Sequence, residues 1–163
     1  MSDDPISDVL NLMPYGFYSI TSRDADDVNI MVANWLTQVS FDPRQVMLAL
    51  QKTSYTHGLV EKGKVFAVNL FLKSDSDLIQ PFTKSRAKRP QKVENANYSP
   101  GPLTGCPIIE GAAAYLECRV VELVDSGGSH SLVIGEVIGA GVMKEALVDD
   151  MLTLPFLGWS YAG

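Results

Sequence analysis

Asn34-Trp35-Leu36-Thr37-Gln38-Val39-Ser40-Phe41-Asp42-Pro43 sets amides, hydroxyls and a tryptophan into a run that otherwise reads as a buried β-strand. On an extended strand, Asn34, Leu36, Gln38 and Ser40 share one face, and Ala33, Trp35, Thr37 and Val39 the other. Neither face is purely apolar, so packing alone does not account for the pattern. Two readings fit: a half-exposed strand whose amides face water, or the wall of a ligand site.

Working outward, short apolar runs bounded by Pro, Gly or Asp predict strands at 16–21, 30–39, 46–51 and 65–72. A long pair follows at 112–124 and 130–142, joined by the turn Asp125-Ser126-Gly127-Gly128-Ser129. A short helix is expected over 7–13, stopped by Pro14, and another after Lys52-Thr53-Ser54-Tyr55-Thr56-His57, capped by Thr53 or Ser54 and ended by Gly63. Pro81 limits an acidic helix start at Ser74-Asp75-Ser76-Asp77. From Lys84 to Pro107 the chain has little periodicity, which suits a loop over a ligand or a disordered segment. Many closely spaced strands with few short helices predict a mainly β fold, a barrel and not alternating βαβ units.

The 163 residues, 46% hydrophobic, fit one domain over 1–163. A net charge of −6 argues against nucleic acid or an anionic membrane as partner. Locally the balance reverses: Lys84, Arg86, Lys88, Arg89 and Lys92 place five of the thirteen basic residues in one short stretch. The acidic start Met1-Ser2-Asp3-Asp4 and the lack of a membrane-length apolar run predict a cytoplasmic protein. Cys106 and Cys118, with only His57 and His130 beside them, cannot complete a zinc site, so no metal is expected; they read as free buried thiols or a single disulfide. Gly139-Ala140-Gly141 does not continue as a dinucleotide fingerprint, and neither a P-loop nor a nucleophile elbow is present.

Three segments together, 34–43, 52–57 and Phe66-Ala67-Val68-Asn69-Leu70-Phe71, resemble the flavin reductase-like family, and the resemblance runs from Pro14 to Tyr161. It implies an FMN-binding split β-barrel with a few short helices, a homodimer, NADH or NADPH as co-substrate, and a small-molecule or protein electron acceptor. It also assigns a site: Asn34, Trp35, Leu36, Thr37, Gln38, Val39 and Ser40 along the flavin ring, Lys52, Ser54 and Thr56 at the phosphate, Asn69 toward the flavin, and Lys92 from a loop. A helix N-terminus does favour an anion at Lys52–Thr56, although capping explains at least one hydroxyl there, Thr53 first.

His130 matches a histidine on the nicotinamide side of the family's flavin; an exposed residue flanking the glycine turn is the competing reading. His57 reads as an ordinary helical residue. The bulky Ile30-Met31-Val32, where relatives carry smaller residues, implies a tighter pocket. Two alternatives stay open beside the reductase: an FMN electron carrier without its own NAD(P)H site, and a split-barrel binding module without flavin chemistry.

Overall fold

The computed structural model describes residues 2–162; Met1 and Gly163, the ends of the expected domain, lie outside the described residues. After helix α1 (Pro5–Leu10), capped by the Asp4 carboxylate, come strands β1 (Tyr18–Asp24), β2 (Asp27–Ala33), β3 (Leu36–Phe41) and β4 (Arg44–Gln51). Helix α2 (Tyr55–Gly63) leads into β5 (Val65–Leu70), a 3-10 segment (Lys73–Phe82), a second 3-10 turn (Pro90–Lys92), β6 (Tyr98–Pro100), β7 (Pro107–Ile109), β8 (Ala114–Asp125) and β9 (His130–Val142).

Seven strands form one antiparallel sheet in the order β2-β1-β5-β8-β9-β4-β3. Its two edges, β2 and β3, are consecutive in sequence and separated only by Asn34 and Trp35. A flat sheet of that size would hold its edges about 29 Å apart, at ~4.8 Å per strand. Three residue steps reach at most ~11 Å. The sheet therefore curls into a barrel, and the Trp35 carbonyl accepts from the Ala49 N–H at 3.0 Å as the chain crosses. The single strand expected at 30–39 is thus two strands on opposite edges. The break and a register shift at Gln38/Ser40 undo the simple alternation of faces.

The barrel interior is closed by Ile20, Leu48, Leu50, Phe66, Val68 and Val133. A second core, outside the barrel, gathers Phe17, Ile30, Phe71, Ile79, Phe82 and Leu152 beneath the 73–112 segment. With cores on both sides, β5 is buried on both faces, which explains its nearly unbroken apolar run. At Gly135 of β9 a Cβ would lie 2.6 Å from the Phe66 ring, so the close approach of β9 to the core requires glycine.

Differences at the ends of α2 have local causes. Ser54, not Thr53, is the cap, accepting from the His57 N–H at 3.2 Å. At the other end Lys64 adopts the left-handed conformation (φ 59°), while Gly63 is needed because a Cβ there would strike the Arg23 carbonyl. His57 ties α2 to the barrel through Nε2, 2.8 Å from Ser131 Oγ.

The long 84–107 segment is ordered by buried polar anchors. The Glu117 carboxylate, buried on β8, accepts from the Leu103 and Thr104 N–H groups at 3.2 and 2.9 Å and from Thr104 Oγ1 at 2.8 Å. Asn69, expected to point at the flavin, instead docks β7: its Oδ1 accepts from the Ile109 N–H at 2.9 Å and its Nδ2 donates to the Pro107 carbonyl at 3.3 Å. Cys106 and Cys118 are free and buried, and burial pushes their thiols up to about 11 and about 12. They are inert at neutral pH.

Asn69→Ala leaves the Ile109 N–H and the Pro107 carbonyl without their partner and is expected to destabilise by ~1–3 kcal/mol. Denaturant unfolding checks it; a loss below a few tenths of a kcal/mol would mean that β7 is held by other contacts.

Candidate flavin site

Where the chain crosses between the sheet's edges it leaves an open cleft of about 620 Å³. Its wall combines Phe17, Trp35 and Ala49 with the amides of Asn34 and Gln51 and the imidazole of His130. Ser7 of α1, Asn11 at its C-cap and Tyr161 of the C-terminal tail border it. The Trp35 and His130 rings meet edge-on, centroids 4.9 Å apart at 64°. Burial holds the His130 imidazole below its ordinary pKa, so it is neutral at neutral pH, with Nδ1 2.8 Å from Ser129 Oγ. Asn34 is 8% exposed, and its Nδ2 has no hydrogen-bond partner among the described residues.

A second compartment of about 700 Å³ continues along β2, sharing Met31, Val32, Gln51 and Thr83 with the first. Thr53, Ser54 and Thr56, at the start of α2, line one side; Lys84, Ser85, Arg86 and Lys92 line the other. The two compartments form one groove with an aromatic and amide end and a cationic end.

The cationic end is built with care for geometry. Arg86 NH1 donates to Asp27 Oδ1 at 3.1 Å and to the Val28 carbonyl at 3.0 Å, and its guanidinium lies 4.1 Å from the centre of the Tyr55 ring. Tyr55 in turn donates its hydroxyl to the Asp27 carboxylate, a bond that raises the phenol pKa. Lys92 is only 3% exposed, with Nζ donating to the Lys84 carbonyl at 3.0 Å. Desolvation, helped by the charge of Arg86, pushes its pKa down to about 8.

Of the residues singled out from sequence, Asn34, Trp35 and His130 come together at one end of the groove, and Ser54, Thr56 and Lys92 at the other. Leu36, Thr37, Gln38, Val39, Ser40, Lys52 and Asn69 line neither compartment. Lys52 is turned to the β8–β9 turn, where Nζ donates to Asp125 at 2.6 Å and, with the Gly127 N–H, lowers that carboxyl's pKa. Ser54 spends its hydroxyl proton on the Gln51 carbonyl at 2.7 Å, and Thr56 Oγ1 accepts from Asn29 at 2.9 Å. Gln51, Thr83 and Arg86 are additional lining residues. Gln51 is marked in the sequence as the polar residue ending an apolar strand, whereas choosing Arg86 from five clustered cations requires seeing Asp27 and Tyr55.

These features fit a flavin mononucleotide. An apolar bed with a partnerless buried N–H suits the ring, and a cationic end beside free helix N–H groups suits the phosphate. The Flavin reductase like domain matches residues 10–155. The chain is 31% identical over 136 residues to the ferric-chelate reductase (NAD(P)H) of Archaeoglobus fulgidus, spanning 82% of this chain and 79% of that protein. Among solved structures, an FMN-binding protein from Thermus thermophilus with bound 1-cyclohex-2-enone superposes with a TM-score of 0.75 at 26% identity, over 87% of this chain and 78% of that one. The NADH:FAD oxidoreductase of Streptomyces globisporus C-1027, in complex with NAD and FAD fragments, superposes with a TM-score of 0.73 at 28% identity, over 82% and 78%. With the match spanning nearly the whole barrel and both ends of the groove, the chain belongs to the flavin reductase-like family.

Proposed function

We propose that the protein is a cytoplasmic NAD(P)H-dependent flavin reductase, acting as one domain within a homodimer, that holds FMN in the groove along β2. The observation that carries this reading is the division of the groove into an aromatic, amide-lined end and a cationic end. The first suits a planar heterocycle and the second a phosphate. FMN, when bound, supplies a hydride acceptor that passes electrons onward, here to free flavin, a ferric complex or a protein.

The chain's own residues have separable tasks. Asn34 offers its unused amide donor to an acceptor on the ring's polar edge, because a buried donor left unpaired costs ~1–3 kcal/mol. Trp35, Phe17 and Ala49 exclude water from the ring's bed. His130, neutral and set against Trp35, positions the nicotinamide and need not move a proton. Lys92, Lys84 and Arg86 meet the phosphate with Thr53 and the free N–H groups at the start of α2.

Dimerisation finds support in exposed apolar side chains at the end of β9 and beyond it: Val142, Leu147 and Val148 are 79%, 74% and 84% exposed. Ala112 and Ala113, just before β8, are each 1% exposed, so they are spent inside the chain and offer nothing to a seam. Light scattering is expected to give twice the chain mass; a clean monomer that still holds FMN would remove the dimer.

Anaerobic mixing with NADH or NADPH tests the activity. The flavin absorbance is expected to bleach, and His130→Ala to slow that bleaching about tenfold or more while FMN affinity holds, because the lost contact belongs to the second ligand. Flavin that stays oxidised under saturating NADH and NADPH would sink the reductase reading in favour of an electron carrier.

Lys92 gives a pH signature. An ammonium at about pKa 8 is charged below that pH and neutral above it. FMN affinity is therefore expected to be full below about pH 8 and to fall above it, by at most ~tenfold per pH unit, until the higher pKa of the phosphate-bound lysine is reached. Riboflavin affinity should stay flat across that range, and a parallel decline for both ligands would remove Lys92 from the phosphate site.

A further inference from the structure

His57, in sequence an ordinary helical residue, is built into a closed ring of contacts that reaches the groove. Its backbone N–H donates to Ser54 Oγ at 3.2 Å, and Ser54 Oγ donates to the Gln51 carbonyl at 2.7 Å. Gln51, the last residue of β4, pairs with His130, the first of β9. Ser131 comes next, and its Oγ lies 2.8 Å from His57 Nε2, which closes the ring. The Glu61 carboxylate, 3.8 Å from His57 Nδ1, favours a proton on that nitrogen, so Nε2 accepts from the Ser131 hydroxyl.

Alternation along β9 turns the two neighbours to opposite sides. His130 lines the aromatic end of the groove, whereas Ser131 is 2% exposed and meets α2 through His57. The pairing of β9 with β8 begins only at Ser131, opposite Asp125, so His130 is paired on one side, with β4. Before it runs a glycine turn in which Gly127 has φ 86° and a Cβ would meet nothing within 4 Å. The Lys52 N–H holds the Ser129 carbonyl at 3.0 Å, which sets the distance of the strand end from β4. Its rotation is another matter. A side chain anchored on the far face of the strand opposes that rotation, and the buried Ser131 hydroxyl, directional and held by His57, is such an anchor.

We propose that His57 is a positioning residue: by holding Ser131 it sets the direction of the His130 ring, and with it the nicotinamide. The inference rests on the nicotinamide role proposed for His130. Ser54 and Thr56, beside His57 at the start of α2, line the cationic compartment, so one stretch of chain organises both ends of the groove.

Three variants test this against the unmodified protein by proton NMR, FMN titration and anaerobic bleaching with NADH or NADPH. His57→Leu removes the acceptor. Ser131→Ala removes the donor with a smaller change of volume, which keeps the test open if the leucine variant does not fold. His57→Gln returns an amide near the place of Nε2. The chain has two histidines, so the His130 imidazole is resolved by NMR, and the Trp35 ring, 4.9 Å away between centroids, makes its shifts sensitive to rotation. The His130 resonances are expected to move in His57→Leu and Ser131→Ala and to return in His57→Gln. Bleaching is expected to slow about threefold to tenfold in the first two and to recover in the third, with FMN affinity unchanged. In a His130→Ala background His57→Leu should slow bleaching no further, because the two act through one contact. The proposal is overturned if the His130 resonances stay in place, if they move while bleaching keeps its unmodified rate, or if the losses add in the double variant. It is also overturned if FMN affinity falls in step with the rate, which would mark a structural role for the whole site. Failure of the His130 reading looks different: His130→Ala bleaches at the unmodified rate, and the NMR shifts alone then decide whether His57 directs the ring.

Discussion

Everything that follows in this molecule depends on the two-residue crossing at Asn34 and Trp35. Because β2 and β3 are edges of one seven-stranded sheet, so short a link forces the sheet to close on itself. The crossing residues have left the regular ladder, which frees their side chains from the alternation that a strand imposes. Asn34 is consequently buried with an amide nitrogen that no group in the chain satisfies, and Trp35 is set against His130 from the start of β9. An unsatisfied buried donor is a cost of ~1–3 kcal/mol that a ligand acceptor removes. Closure of the barrel and preparation of the site are the same event.

The other end of the groove is arranged by weaker forces whose value is geometric. The Arg86–Asp27 pair is partly exposed and, as a surface ion pair, contributes about 0–1 kcal/mol, with ~0.5–1 more from the stacking on Tyr55. Such amounts do not hold a fold together. They do fix the plane of one guanidinium, using a single nitrogen for both hydrogen bonds to protein at a residue that lines the groove. Lys92 shows the opposite balance: its burial is costly enough to lower its pKa, and an anion beside it would offset that cost.

Much of this architecture is legible in the sequence because strands announce themselves by apolar runs with clear punctuation. The run His130–Val142 is read and found over the same residues, since the glycine turn before it fixes its start. The lining of the cleft is legible where a residue's type is at odds with its setting, as with Asn34 in an apolar run or His130 after the turn. It is not legible where long-range partners decide. Asn69 looks like a ligand contact until β7 arrives to use both ends of its amide, and Lys52 until the β8–β9 turn brings Asp125 to it. The same blindness divided one expected strand into two, because no local signal says that a chain is crossing between the edges of a sheet.

Charge adds a last constraint. A chain of net charge −6 repels anionic cofactors at long range, so binding them requires a local reversal of the field. The basic segment provides it over few residues, and its anchors to Asp27 and Val28 place that reversal at one end of the groove. At the other end the imidazole of His130 is neutral and the amides are uncharged, so that end carries no strong field of its own. A flavin phosphate entering the groove would therefore be oriented by this polarity before any close contact formed, and the sequence distance between Asn34 and Lys92 is bridged by the barrel closure that brought their two ends into one channel.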